Sequence, residues 1–335
     1  MLRNWKFWLG VLISAFFLLY ALKGQRLPEV WLAIQQANYW WLIPSVTTYF
    51  LAVAARTWRW HFLLRPIKRI PLTNLFPVVV IGYMGNNVYP LRAGEFMRAY
   101  VLKKKEGVSV SASLATIVVE RLFDGLTMLF FVFVTLPFVE FPAVLRQVVI
   151  LGSLFFFGAL AAFLVIVSSP DRSKAIYGWL VERFLPQAVG EKARGYLDRF
   201  MLGLHSLRSG RHVTMVFVTS VAIWLTETVK YWFVMHGFPF YQPFHVLMLM
   251  AAVVNLATTI PSSPGYVGTF DAPGIEILKT FKVPGDLATS YTLVLHAALW
   301  FPVTVLGFFY MWQESLSWGE IGVAAQAREL GAERV

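Results

Sequence analysis

The chain has 335 residues, of which 58% are hydrophobic and only 14% are charged, with a net charge of +11 and no cysteine. Soluble domains carry roughly 25% charged residues, so this composition excludes an ordinary soluble fold. It predicts an all-α polytopic membrane bundle, because a helix satisfies its own backbone groups where water is absent. The missing cysteines exclude disulfides, thiolate catalysis and cysteine metal sites.

The basic residues lie between apolar blocks rather than on one folded face. We therefore interpret them as topology signals and contacts with lipid headgroups. We expect no nucleic-acid partner.

Hydropathy predicts about six full spans, since about 20 consecutive apolar residues are enough to cross a bilayer as a helix. They lie near residues 5–22, 40–63, 111–138, 146–168, 213–235 and 287–312. Segments 72–90 and 246–260 fit less well as spans. Each ends in a cluster of Pro, Gly, Asn or Ser residues, which break helices.

Charge asymmetry orients the two broken segments, because Lys and Arg concentrate on the cytoplasmic side. With the N-terminus inside, basic residues flank segment 72–90 on both sides, at 65–69 and within 92–107. This segment is therefore predicted to be a re-entrant hairpin. The same orientation makes residues 246–284 a second hairpin that enters from the opposite face. Opposed broken helices of this kind are typical of transporters with inverted repeats.

We predict a single transmembrane domain over residues 1–312 and a cytoplasmic tail over 313–335. Between its halves, residues 170–212 contain eight Lys or Arg and four Asp or Glu residues. Aromatic and aliphatic residues alternate with these charges, so the stretch is predicted to be an amphipathic cytoplasmic linker that lies on the membrane surface or packs against neighbouring helices. We expect an integral protein of the plasma membrane with both termini in the cytoplasm.

A first polar constellation surrounds the end of segment 72–90 and continues into the third span. Arginines held by acids near a hairpin tip can bind a phosphate bidentately while the acids balance their charge. The alternative is that ion pairs merely tie the hairpin to the next span. The residues are Asn86, Asn87, Pro90, Arg92, Gly94, Glu95, Arg98, Glu120, Arg121 and Asp124.

A second constellation follows segment 246–260. Its prolines and glycines free backbone groups, which membrane proteins tolerate beside a cavity or a packed interface. It can line a polar pathway or form a rigid turn between two helix halves. The residues are Pro261, Ser262, Ser263, Pro264, Gly265, Gly268 and Asp271.

Two further charged sets are weaker. Arg56 and Arg59 lie near the cytoplasmic end of the second span, where basic and aromatic anchors are ordinary. Glu227 and Lys230 are three residues apart within the fifth span, so they are interpreted as a structural pair, with a relay as the alternative. His296 stands alone within the last span.

The two constellations, in this order, resemble the lysylphosphatidylglycerol synthase transmembrane-region family of flippase-like membrane proteins. The resemblance extends over roughly residues 5–312. In bifunctional family members a similar membrane part is followed by a soluble aminoacyl-transfer domain, for which this sequence leaves no room after its last span. The resemblance therefore implies lipid translocation between leaflets rather than aminoacyl-lipid synthesis.

The leading hypothesis is a flippase for an anionic phospholipid or a polyprenyl-phosphate-linked lipid, with Arg92 and Arg98 capturing the headgroup. Membrane lipids are the expected partners, and we expect no cofactor or metal. The alternatives are a membrane enzyme acting on a lipid-linked substrate and a non-catalytic assembly partner of a lipid-modifying enzyme. No catalytic motif is recognisable in the sequence, which favours a carrier.

Overall fold

The computed structural model describes residues 5–89, 92–138, 143–168, 170–184, 187–204, 210–260 and 263–316. Within these ranges every regular element is a helix, which confirms the all-α prediction. The α-helices are α1 Trp5–Leu22, α2 Leu27–Gln36, α3 Leu42–Leu64, α4 Leu72–Val88, α5 Ala93–Glu106, α6 Val110–Thr135, α7 Ala143–Ser168, α8 Pro170–Phe184, α9 Gln187–Leu204, α10 Gly210–Met235, α11 Phe244–Ala257, α12 Asp271–Thr280 and α13 Gly285–Gln313.

Six long helices correspond to the six predicted spans, namely α1, α3, α6, α7, α10 and α13. Among the described residues, α10 and α13 are long and apolar enough to cross a membrane by themselves. Helix α6 is as long as α10 but carries Glu120, Arg121 and Asp124 near its middle. The total of six full spans therefore stays a prediction.

The first broken segment differs from the prediction in where it turns. Residues 72–88 form one continuous helix, α4, and the returning limb is α5, which the sequence had suggested to be a basic stretch. These two helices are the limbs of a hairpin, here named hairpin 1. At its open end, which is the end away from the turn, Lys68 Nζ donates to Glu106 Oε2 at 2.8 Å. At the other end Arg92 adopts a left-handed conformation, with φ of 54°, immediately before α5 begins.

The second broken segment forms hairpin 2, whose limbs are α11 and α12. At its open end, Gln242 Nε2 donates to the Phe281 carbonyl oxygen at 3.1 Å. At 1.5 Å per residue, limbs of 14 and 10 residues reach about 21 and 15 Å. Both lengths are shorter than the roughly 30 Å hydrocarbon core of a bilayer.

Helix α13 runs past both hairpins and aligns them. Its N-terminal end follows directly after hairpin 2, and near its C-terminal end Glu314 pairs with Lys105 of hairpin 1. Between these ends, Trp300 and Thr304 contact Asn87 of hairpin 1, while His296 contacts Gly265 at the tip of hairpin 2. The tips of the two hairpins therefore meet beside the middle of α13, with their open ends apart.

Within the predicted linker 170–212, the structure describes two helices, α8 and α9. An ion pair between Arg194 and Glu182 and a hydrogen bond from Tyr177 to Asp198 join them. Helix α9 packs against α6, where a Cβ added at Gly203 would lie 2.5 Å from the Ala112 oxygen. This part of the linker thus packs against the bundle.

Candidate functional site

A polar cavity of about 140 Å³ lies where the two hairpin tips meet α3, α6, α10 and α13. It contains cationic, amide and aromatic side chains that are distant in sequence. Its walls are formed by Tyr49, Arg56, Tyr83, Asn86, Asn87, Arg92, Arg121, Trp224, Glu227, Lys230, Tyr231, Asn255, Thr258, Gly265, Tyr266, Phe270, His296, Leu299 and Trp300.

Cationic groups dominate this cavity. Its described walls contain Arg56, Arg92, Arg121 and Lys230 but a single carboxylate, Glu227. Glu227 pairs with Arg56 through one oxygen and with Lys230 through the other. Because one carboxylate serves two cations and the other two arginines lie nearby, an anionic ligand would balance the wall charge.

The role of Arg56 is a correction to the sequence interpretation as an interfacial anchor. Its side chain is buried, packs over the Trp224 ring at 4.6 Å and pairs with Glu227 on α10. Lys230 lies over the Tyr49 ring at 4.4 Å. The predicted pair between Glu227 and Lys230 is present, and it belongs to the cavity wall.

Arg59 is likewise buried rather than interfacial, and it organises a second layer of charge behind the cavity. Its guanidinium donates to both carboxylate oxygens of Asp124, at 2.7 and 3.3 Å. Its Nε lies 3.6 Å from Glu120, which in turn lies 2.7 Å from Arg98 Nη1. Arg98 also stacks over the Trp60 ring at 3.6 Å. Arg98 is therefore fixed behind the wall and does not line the cavity, and its contact with a headgroup stays a prediction.

Arg92 and Arg121 reach the cavity with weaker partners. Arg121 lies 3.5 Å from Asp124 and 3.8 Å from Glu95, and Arg92 lies 3.7 Å from Glu95. These distances to carboxylates exceed those of good hydrogen bonds, and Arg92 Nη2 donates instead to the Thr258 carbonyl oxygen at 3.1 Å. The buried Nε atoms of both arginines have no hydrogen-bond acceptor among the described residues. Both guanidinium groups consequently keep donors for a ligand.

The remaining residues of the first constellation hold the hairpin tip together. Asn86 Oδ1 accepts from the Gly94 amide at 2.9 Å, and Asn87 Nδ2 donates to Thr304 Oγ1 at 2.8 Å. A Cβ added at Gly94 would lie 1.9 Å from the Gly82 oxygen, so only glycine allows the two limbs to approach this closely. Pro90 lies outside the described residues.

The second constellation divides between two environments. Gly265 faces the cavity within a short 3-10 turn that begins at Pro264. Ser263 and Gly268 face α1, because the Ser263 amide donates to Ser14 Oγ at 3.0 Å and a Cβ at Gly268 would lie 2.4 Å from the Ser14 oxygen. Asp271 is buried behind the tip and contacts His296. Pro261 and Ser262 lie outside the described residues.

A second, mainly apolar groove of about 250 Å³ adjoins the cavity. It shares four wall residues with the cavity, Arg92, Arg121, Trp224 and Asn255. Beyond them it is lined largely by apolar side chains of α6 and α7, including Leu122, Met128, Phe155 and Phe156. A cationic chamber therefore continues into an apolar groove.

The sequence profile of the lysylphosphatidylglycerol synthase TM region matches residues 7–307, nearly the whole chain. The protein belongs to this family of integral membrane proteins. The expected resemblance is thereby confirmed.

Relatives within the family include a UPF0104 membrane protein of Methanothermobacter thermautotrophicus, 26% identical over 83% of this chain and 84% of that protein. A second, from Methanocaldococcus jannaschii, is 22% identical over 90% of this chain and 93% of its own. Glycosyltransferase AglD of Haloferax volcanii is 26% identical over 68% of this chain, which corresponds to 41% of that protein. No solved structure matches the chain at a significant level.

Several wall residues escaped prediction because their signal was weak. Aromatic residues such as Tyr83, Trp224 and Trp300 are ordinary in apolar helices, and His296 stood alone in its span. One available signal was charge inside long apolar segments, which is costly in a membrane and usually faces a cavity. Applied to Arg56, Glu227 and Lys230 together, it would have indicated the cavity.

Proposed function

We propose that this membrane protein moves an anionic lipid, a phospholipid or a polyprenyl-phosphate-linked lipid, between the leaflets of the bilayer. The observation that carries the proposal is the excess of cationic groups over carboxylates in a cavity between two hairpin tips. Charge inside a membrane is expensive unless it is paired. A phosphate headgroup between Arg92 and Arg121 would supply the missing negative charge.

The adjoining groove favours an amphiphilic substrate over a small anion. A headgroup in the cavity would leave its chain next to Arg121 at the entrance of the groove. Phe155 in the groove is largely exposed on the outer surface of the bundle, which lipid tails would cover. The substrate thus contacts cationic walls at one end and apolar walls at the other.

The meeting of the hairpin tips supports a carrier mechanism. The limbs of hairpin 2 are too short to cross the membrane, and the two hairpins have their open ends apart and their tips together. This arrangement fits two hairpins that enter from opposite faces. In this arrangement each hairpin separates the cavity from one side. The same proposal places the chain in the plasma membrane, with both termini in the cytoplasm.

We assign no catalysis to this chain. A lipid-modifying enzyme is the membrane partner that we propose for it. Glycosyltransferase AglD supports this association, since a segment similar to this chain makes up part of that protein. A non-catalytic assembly partner of such an enzyme is the second candidate. Lipid exchange by the purified chain separates the two candidates, because a carrier moves lipid without the enzyme and an assembly partner does not. Mass spectrometry of the same vesicles would expose an enzyme, which would change lipid masses.

The test is lipid exchange in liposomes that contain the purified chain. Anionic phospholipids and polyprenyl phosphate, each labelled on the chain so that the headgroup stays intact, would be exposed to an impermeant quencher. Replacing Arg121 by Gln removes a charged donor from both the cavity and the groove. A charged hydrogen bond is worth about 1.5 to 3 kcal/mol, so exchange should fall by roughly tenfold or more.

Arg65→Gln is the matched control, because Arg65 is exposed and packs on the Phe62 ring away from the cavity. It should exchange lipid at the rate of the unmodified chain. The proposal fails if the unmodified chain matches empty liposomes for every anionic lipid. It also fails if Arg121→Gln and Arg65→Gln behave alike.

A further inference from the structure

His296 on α13 contacts two oxygen atoms of hairpin 2, one through each ring nitrogen. Its Nδ1 lies 2.8 Å from Asp271 Oδ1, and its Nε2 lies 2.7 Å from the Gly265 carbonyl oxygen. The other oxygen of Asp271 accepts from the Gly268 amide at 2.8 Å. The imidazole ring also packs against the Phe270 ring at 4.5 Å. One side chain of α13 therefore holds the tip of hairpin 2 at several points.

A neutral His296 and an ionised Asp271 together carry one proton fewer than these contacts require. A neutral imidazole has a single N–H, whereas both of its nitrogens here face oxygen acceptors. If Nδ1 donates to Asp271, an unprotonated Nε2 would direct its lone pair at the lone pairs of the Gly265 oxygen. With the extra proton the ring is an imidazolium that donates to both oxygens, and Asp271 balances its charge.

We propose that His296, Asp271 and Gly265 form a proton-dependent latch that fastens the tip of hairpin 2 to α13. When water in the cavity takes the proton from Nε2, the bond to the Gly265 oxygen is lost while Nδ1 continues to donate to Asp271. The tip then leaves its position beside Asn87 of hairpin 1 and Trp300 of α13. Release of the proton is thus coupled to separation of the two hairpin tips.

The latch makes the proton the ion that is coupled to lipid movement. This part of the inference rests on the proposed function, which supplies the lipid that opening of the latch would move. His296 lines the cavity, so the proton can exchange with water there. Asp271 of α12 is the charged group in direct contact with His296. The other titratable or charged groups that line the same cavity are Tyr49 and Arg56 of α3, Tyr83 of α4, Arg92 before α5, Arg121 of α6, Glu227, Lys230 and Tyr231 of α10, and Tyr266 of the tip.

The latch is tested through the motion of the tip in the full chain in lipid nanodiscs. A cysteine replaces the exposed Val267, which lies on the tip, and carries a nitroxide spin label in this naturally cysteine-free chain. Its spectrum is recorded from about pH 5 to 9, the range in which histidines change charge. We expect the label to become more mobile as pH rises through a single transition.

Two variants assign the transition to the latch. His296→Gln should give a spectrum that does not change with pH. Asp271→Asn removes the balancing charge and should move the midpoint to lower pH by at least about one pH unit. His236→Gln is the matched control, because His236 directly follows α10 and contacts the Trp232 oxygen of that helix, and it should retain the transition.

A spectrum that is constant with pH in the unmodified chain would overturn the latch. The same holds if the transition persists in His296→Gln or disappears in His236→Gln. Lipid exchange plays no part in this measurement. A chain that moves no lipid but shows the transition rejects the proposed function alone, and a constant spectrum in a chain that moves lipid rejects the latch alone.

Discussion

The two hairpins meet at one cavity but are held in different ways. Hairpin 1 is fixed by buried ion pairs, since Arg98 on its second limb pairs with Glu120 of α6. Its limbs also touch through glycine, at Gly94 and Gly82. Hairpin 2 is held by backbone contacts and by His296. Lys279 on its second limb pairs with Glu276 of the same helix on the exposed surface, so this pair does not join hairpin 2 to another element.

This difference indicates which wall of the cavity can move. Separating Arg98 from Glu120 would leave a buried charge uncompensated, which is costly. Releasing the tip of hairpin 2 breaks hydrogen bonds that water in the cavity can replace. We therefore expect hairpin 1 to act as the rigid cationic wall and hairpin 2 as the mobile wall.

The greatest loss of stability is expected from the buried ion pair that joins hairpin 1 to α6, and the exposed pair within α12 of hairpin 2 serves as the comparison. Arg98→Met leaves Glu120 buried without its 2.7 Å partner, so the free energy of unfolding should fall by about 3 to 5 kcal/mol. Lys279→Met in hairpin 2 removes a surface pair and should change it by less than about 1 kcal/mol. Unfolding of both variants in mixed micelles with rising SDS gives the comparison. Equal losses would contradict the assignment of hairpin 1 as the rigid wall.

A smaller effect is expected from glycines at the contacts of the two hairpins. Gly94→Ala places a methyl group 1.9 Å from the backbone oxygen of Gly82, so the limbs must separate, at a cost of about 1 to 3 kcal/mol. Gly274→Ala in hairpin 2 places it 2.8 Å from Met250 Cε, the flexible end of a side chain, and 3.0 Å from Thr292 Cγ2 of α13, and it meets no backbone atom this closely. The same SDS titration should show little loss for Gly274→Ala. A loss at Gly274 as large as that at Gly94 would mean that hairpin 2 is packed as rigidly as hairpin 1.

Much of the helical layout could be predicted from the sequence, because apolar length and helix-breaking residues are local properties. The six long apolar segments and the broken regions near Pro90 and Pro261 were located in this way. The position of the turn in hairpin 1 was not predicted, since the charge pattern placed the whole hairpin within residues 72–90 and made the basic residues after Pro90 a cytoplasmic flank. The apolar residues among these charges pack in the same core as α4 and make this stretch the second limb.

The site was predicted less completely, because its contacts join residues far apart in the chain. Glu227 had one local partner, Lys230, at helical spacing, whereas its second partner, Arg56, lies on another helix. Likewise, the partners of His296 are residues 265 and 271, which reach it only when the tip of hairpin 2 folds back on α13. Local spacing cannot reveal such pairs.

The smallest expected effect concerns the open ends of the hairpins, which lie away from the cavity. At hairpin 1, the hydrogen bond from Lys68 holds the pKa of the Glu106 carboxyl below its usual range, and Asn74 adds a second donor. A lowered pKa stabilises the fold above the carboxyl's unfolded value of about 4.3, and this stabilisation is lost as pH falls through the folded value.

Lys68→Gln should therefore lower the free energy of unfolding by less than about 1 kcal/mol near neutral pH, since Lys68 is partly exposed and water screens the pair. The difference from the unmodified chain should shrink as pH falls below about 4, where Glu106 is protonated and has no charge to pair. At hairpin 2 the corresponding bond, from Gln242 to the Phe281 oxygen, is neutral, so the effect of Gln242→Ala should not change over the same range. Unfolding titrations at several pH values measure both. A Lys68→Gln effect that is constant with pH would show that the two open ends are held by the same neutral contacts, and the contrast between the hairpins would then be confined to their tips.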